Sequence, residues 1–175
     1  MADQHQDAVQ RFKAGQASAF NEIVRAHQQG IYRLAYRLTG TVEDAKDLTQ
    51  EAFIRAYRGL PGFRGDSDIG TWLYRITINL GRTWRRRQGT PPSSLDGAGE
   101  LPDGPEGPED RELRNAVKQA VFELPEKQRL AFTLHHYQGY QHQEVAKLTG
   151  RSVGSVKANY FQAVQKLRQK LESFL

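Results

Sequence analysis

The chain has 175 residues, of which 38% are hydrophobic, a formal net charge of +5 and no cysteine. Without cysteine there is no disulfide framework and no thiolate metal site, which fits a reducing, cytoplasmic setting. No apolar run approaches the ~18 residues of a membrane-spanning helix, and the opening MADQHQDAVQRFKAG lacks the apolar segment of a signal peptide, so no membrane insertion is expected. Charge is unevenly placed. Lys/Arg outnumber Asp/Glu by 14 to 9 in residues 1–87, fall to 1 against 7 in residues 88–112, and lead again by 10 to 4 in residues 113–175. Two basic blocks about an acidic connector suit a polyanion such as nucleic acid; ordinary solvated side chains are the other reading of charge alone.

In chain order, a first helix is expected from near Ser18 to Leu38, with Phe20, Ile23, Val24, Ile31, Leu34, Ala35 and Leu38 at helical spacing and Gly40 as its stop. Thr41 to Asp44 form a capping-box pattern for a second helix, whose apolar face is Ala45, Leu48, Ala52, Ala56 and Leu60 and which Pro61-Gly62 ends. After the loop FRGDSDIG, the segment TWLYRITINLGRTWRRR reads as an amphipathic helix. Ile69, Trp72, Leu73, Ile76 and Leu80 would face the core, and Arg75, Asn79, Arg82 and Arg86 form a second, basic and amide-bearing stripe. A merely solvated face usually alternates sign. Residues 88–111 hold five of the seven prolines and no period, the composition of a flexible linker.

The remainder reads as four helices, about Glu112–Glu123, one after Leu124-Pro125, about Gln141–Leu148, and Ser152 towards Leu171. Helix, Gly150 turn, Ser152 cap and helix is a helix-turn-helix pattern. In its second helix Val153, Val156, Tyr160, Val164, Leu167 and Leu171 make the inward stripe, while Ser155, Ala158, Asn159 and Gln162 point outward with Lys157 on the flank. Small and polar outward residues suit approach to base edges; a plain helical hairpin would show the same spacing. The fold class expected is all-α, two small helical domains joined by a linker.

Three motifs in order, DAKDLTQEAFIRAY (44–57), FRGDSDIGTWLYRITINL (63–80) and LPEKQRLAFTLHHYQGYQHQEVAKLTGRSVGSVKANYFQAVQKLR (124–168), resemble the sigma-70 family of bacterial transcription initiation factors, closest to its extracytoplasmic-function group. The resemblance implies a region 2-like domain over 1–87, the linker over 88–111 and a region 4-like helix-turn-helix domain over 112–175. It implies a sigma factor that binds core RNA polymerase through its clamp coiled coil and flap, recognises the −35 and −10 promoter elements, and promotes melting. Asp44, Asp47, Gln50 and Glu51 would meet core polymerase. Phe63, Arg64, Ser67, Arg75, Asn79, Arg82 and Arg86 would meet the −10 element, the loop holding a flipped base. Arg151, Ser155, Lys157, Asn159, Phe161 and Gln162 would meet the −35 element. Many relatives are held by an anti-sigma protein, so one is a further expected partner. The helix departs from relatives in carrying Asn159 and Gln162 where arginines are common, and Asp68-Ile69-Gly70 stands where relatives often have a small residue and an aromatic.

A stand-alone helix-turn-helix regulator would explain residues 112–172 equally well but leaves the acidic and basic stripes of the first half without a role. An enzyme reading has His135, His136 and His142 as its best case. Neighbouring helix histidines point about 100° apart, and no HExxH or GxxxxGK[ST] pattern is present. No cofactor, metal or catalytic residue is therefore expected.

Overall fold

The computed structural model describes residues 5–88 and 108–174, which form helices and turns with no strand among them. The chain divides into two compact units, residues 1–39 with 43–90, and residues 40–42 with 91–175. Most of the expected linker, residues 89–107, lies outside the described residues; its end, Pro108–Arg111, opens a helix, where proline at a first position costs no hydrogen bond.

The first unit contains α1 (Gln6–Lys13), α2 (Phe20–Thr39), α3 (Val42–Gly59) and α4 (Ile69–Gln88). α1 was not expected from the sequence. It buries Ala8 and Val9, packs Phe12 against Phe20 and edge-on to Tyr57 at 5.8 and 5.1 Å between ring centroids, and joins Arg11 to Asp7 and Glu22, both at 2.7 Å. Eight residues do not hold a helix in isolation, so these tertiary contacts stabilise it. α3 is as its spacing requires: Ala45, Leu48, Ala52, Ala56 and, just beyond it, Leu60 are all buried.

The core face of α4 differs from the expected one. Leu73 and Leu80 are buried, but so are Tyr74, Thr77, Ile78 and Gly81, whereas Trp72 and Ile76 are only half-buried. The cause is the close approach of α2. A Cβ added at Gly30 would lie 2.6 Å from the Tyr74 hydroxyl, and one at Gly81 would lie 2.7 Å from Cδ1 of Leu38. A side chain at either position would have to displace the end of its neighbour, and the pairs 30–74 and 38–81 make α2 and α4 run parallel. Two buried threonines bond back into their own helices: the Thr39 and Thr77 hydroxyls donate to the carbonyls of Ala35 and Leu73 at 3.0 and 2.9 Å.

The second unit contains α5 (Pro108–Phe122), α6 (Glu126–Phe132) continued by a π turn (Thr133–Tyr137), α7 (His142–Thr149) and α8 (Val153–Lys170). Its core gathers Ala120, Val121, Leu124, Phe132, Ala163 and Leu167. On α8, Val153, Tyr160 and Val164, with Leu171 just past its end, are half-buried rather than central, and Ala163 takes the deepest place because a methyl lets α8 lie close to its neighbours. The buried Arg129 donates to the Phe122 carbonyl at 2.8 Å and lies 4.9 Å from that ring, which compensates a charge that would be costly alone. Gln141 and Glu144 close a capping box on α7, Gly150 ends it at φ 67°, and the Ser152 hydroxyl caps α8 by accepting from Ser155 N–H at 3.2 Å. α7, turn and α8 are a helix-turn-helix.

Candidate functional site

The loop before α4 is built residue by residue. A 3-10 turn, Leu60–Gly62, ends at Phe63 in extended backbone, and Gly65 bends the chain at φ 79°. Asp68 then caps α4: its carboxylate accepts from the Thr71 N–H at 2.9 Å and the Thr71 hydroxyl at 2.5 Å. The Phe63 ring lies 5.0 Å from that of Trp72, and the Lys13 ammonium donates to the Phe63 carbonyl. Trp72, half-buried, is thus not a central core residue; it supports Phe63. Arg64 pairs with Asp66 at 3.0 Å, both strongly exposed. Beneath the loop is a cavity of about 220 Å³. Phe63, Arg64 and Ser67, expected together at the −10 element, all line it. So do Gln6, Gln10 and Lys13 of α1, which sequence reasoning missed because α1 itself was missed.

From this loop α4 carries the polar stripe away. Arg75, Asn79 and Arg86 are exposed and Arg82 is half-buried, over a rise of ~16 Å. The stripe is braced locally: the Thr83 hydroxyl donates to the Asn79 carbonyl at 3.1 Å and Arg86 donates to that hydroxyl at 3.3 Å. Trp84 is half-buried beside it.

On α3, Asp47 and Gln50 are exposed, while Asp44 and Glu51 are half-buried. Glu51 pairs with Arg55 at 2.7 Å across one turn; exposed pairs of this kind contribute only ~0.3–0.5 kcal/mol, so a partner can displace it. Gln50 lines an open groove with Arg25, Tyr32 and Lys46. Ile54, 38% exposed, sits one turn on from Glu51 and two from Asp47.

In the second unit Lys157, Phe161 and Gln162 are exposed, Phe161 by 63%, and Arg151, Ser155 and Asn159 are half-buried. At about 100° per residue, Ser155, Asn159 and Gln162 share one edge of α8 and Lys157 and Phe161 the other. The first edge is hydrogen-bonded within the unit. The Asn159 amide donates to the Ser155 carbonyl at 2.7 Å, and Gln128 donates to the Gln162 side-chain oxygen at 2.8 Å. Such bonds hold the amides in one orientation.

Two of the three histidines of this unit pack on one aromatic, His135 and His142 being 4.1 Å apart and 4.6 and 5.3 Å from Tyr160, while His136 stacks on Phe132 at 4.8 Å. Burial, with His135 and Lys157 nearby, lowers the pKa of His142. Among the described residues no group of three or more His, Cys, Asp or Glu is arranged to hold a metal, and no helix is long and apolar enough to cross a membrane.

Residues 23–90 match the family description Sigma-70 region 2, and residues 114–167 match Sigma-70, region 4. The chain is 34% identical over 186 residues to the RNA polymerase sigma-H factor of Pseudomonas aeruginosa, covering 99% of this chain and 96% of that one. It is 36% identical over 180 residues to the ECF RNA polymerase sigma-E factor of Escherichia coli K12, covering 95% and 94%. Among solved structures, the sigma factor RpoE of Bartonella quintana, in complex with the anti-sigma factor NepR, shares the fold with a TM-score of 0.73 at 20% identity, covering 89% of this chain and 98% of that one.

Proposed function

The chain belongs to the sigma-70 family, in its extracytoplasmic-function group, and from that premise we propose that it binds core RNA polymerase, recognises −35 and −10 promoter elements and promotes DNA melting at the start of transcription. The first unit engages core polymerase and the −10 element, and the second engages the −35 element as duplex. Asp44, Asp47, Glu51 and Ile54 offer the clamp a mixed acidic and apolar face, the complement of a basic partner helix. Arg75, Asn79, Arg82 and Arg86 flank the separated strand, with the arginines on phosphates, where they position without reading sequence.

The observation that supports this reading best is the cavity beneath Phe63–Ile69, set at the start of the basic and amide-bearing stripe. Unpairing a base costs a few kcal/mol, and a pocket with stacking returns ~1–3 kcal/mol per base. Melting on this reading draws on binding energy, and the factor is not an enzyme. It acts in the cytoplasm, where polymerase and promoters are, and an anti-sigma protein is its regulatory partner, as in the NepR complex of the Bartonella quintana relative.

The test is reconstitution with core polymerase on genomic DNA, followed by mapping of transcript starts. The expected result is a small set of starts that core polymerase alone does not produce. Tight, specific DNA binding by the isolated chain with no added starts would instead establish a stand-alone regulator.

A further inference from the structure

The cavity beneath the Phe63–Ile69 loop has two walls of different origin. One is the loop itself; the other is α1, which lays Gln6, Val9, Gln10 and Lys13 along it. Gln6 and Gln10 are exposed and one turn apart, so both amides stand on the same face of α1. Val9 and Ile69, nearly buried, give the cavity an apolar floor, and Phe63 lines it too, with the Lys13 ammonium 5.9 Å from its ring centroid.

α1 is also held in place from several sides. Lys13 ties its last turn to the Phe63 carbonyl, Arg11 holds Glu22 of α2 with two hydrogen bonds at 2.9 and 2.7 Å, and Phe12 is wedged between Phe20 and Tyr57. A wall fixed in this way orients the groups it carries. The volume of about 220 Å³ is below the ~300–1,000 Å³ of pockets for drug-sized ligands, a scale that suits one planar heterocycle. An amide places a donor beside an acceptor, the pattern that matches the edge of a nucleobase.

We propose that α1 is a specificity-determining element, in which Gln6 and Gln10 hydrogen-bond the edge of the single unpaired base that the loop accepts. The inference rests on the reading of this loop as a base-holding site. The base stacks against Phe63 over the floor of Val9 and Ile69, and its backbone leaves past Lys13 and Arg64 at the rim.

The experiment uses the full chain with core polymerase and a promoter library randomised across the −10 region, comparing wild type with Gln6→Ala, Gln10→Ala, the double variant, Gln10→Glu and, separately, Ser67→Ala with Phe63→Ala. The double glutamine variant is expected to lower discrimination at one position of the displaced strand about tenfold, the scale of one mismatched base pair, and to leave the other positions unchanged. Gln10→Glu, which only accepts, is expected to shift that position towards bases bearing an amino group. Unaltered thermal unfolding is expected, because alanine at exposed helix positions is a good helix former. If the loop variants change a position and the glutamine variants do not, the role of α1 falls and the loop reading stands. If the glutamine variants weaken every position equally, α1 is scaffold only and the inference falls. If neither set moves any position, both readings fall.

Discussion

Replacing Trp72 tests whether the loop is held by the support described above. Trp→Ala at a fully buried site costs ~3–5 kcal/mol. Trp72 is half-buried, so about half of that, ~2 kcal/mol, is expected. Of this, ~0.5–1.5 kcal/mol belongs to the ring pair with Phe63, whose centroids are 5.0 Å apart at 44°. The rest is lost cover over the end of α3, where the indole would lie 3.3 Å from a Cβ at Gly59. The assay is a double-mutant cycle of Trp72→Ala and Phe63→Ala, read by urea unfolding with Trp84 as the remaining fluorophore and by permanganate reactivity of promoter thymines. A coupling of ~1 kcal/mol is expected, and the promoter-opening defect of Trp72→Ala should vanish when Phe63 is already alanine. Additive effects, with the opening defect persisting in the double variant, would refute the reasoning and mean that the indole touches DNA or polymerase itself.

Three further outcomes are expected. Asp47→Lys with Glu51→Lys should weaken binding to core polymerase at least about tenfold without changing thermal unfolding; normal co-purification with core would remove α3 from the interface. Gly150→Ala should destabilise the second unit by ~1–2 kcal/mol, because φ is 67° there and a Cβ meets nothing within 4 Å, leaving the backbone as the sole source of the penalty; an unchanged unfolding midpoint would contradict that turn. Burial, with His5 alongside, lowers the pKa of His27 against the pull of Asp68, so the unfolded chain binds this proton more readily. Stability of the first unit is then full above about pH 6.5 and falls as pH drops below it; an equal acid-side fall in His27→Gln, measured as unfolding temperature against pH, would assign it to other groups.

Much of this architecture is legible in the chain. The stripe Ala45, Leu48, Ala52, Ala56 and Leu60 reads as one face because each member is apolar and each is buried. Gly150 and Ser152 mark the turn of the helix-turn-helix because a left-handed stop and a hydroxyl cap are local devices. What escapes is whatever depends on a distant partner. α1 has its three apolar residues, Ala8, Val9 and Phe12, at helical spacing, but over barely two turns they do not specify a helix alone, and its order comes from Phe20, Glu22, Tyr57 and Phe63. The core face of α4 is misread because Thr77 and Gly81 qualify by being small, while Trp72, the largest apolar group, serves Phe63. Gln162 and Asn159 are recognisable as outward amides. That Gln128 holds the former, 34 positions away, is visible only in three dimensions.

The parallel pairing of α2 and α4 has an electrostatic consequence. Side-by-side antiparallel helices cancel much of each other's macrodipole, whereas parallel ones add theirs. Both amino ends therefore face the same end of the unit, and α4 begins there at the cavity, with the Asp68 carboxylate offsetting part of the field. α3 runs the other way: its last turn brings Tyr57 against Phe20 and Gly59 against Trp72, so its carbonyl end lies beside those amino ends and offsets much of their sum. What remains at the cavity is local, the N–H groups of the first turn of α4, one of which Asp68 already holds.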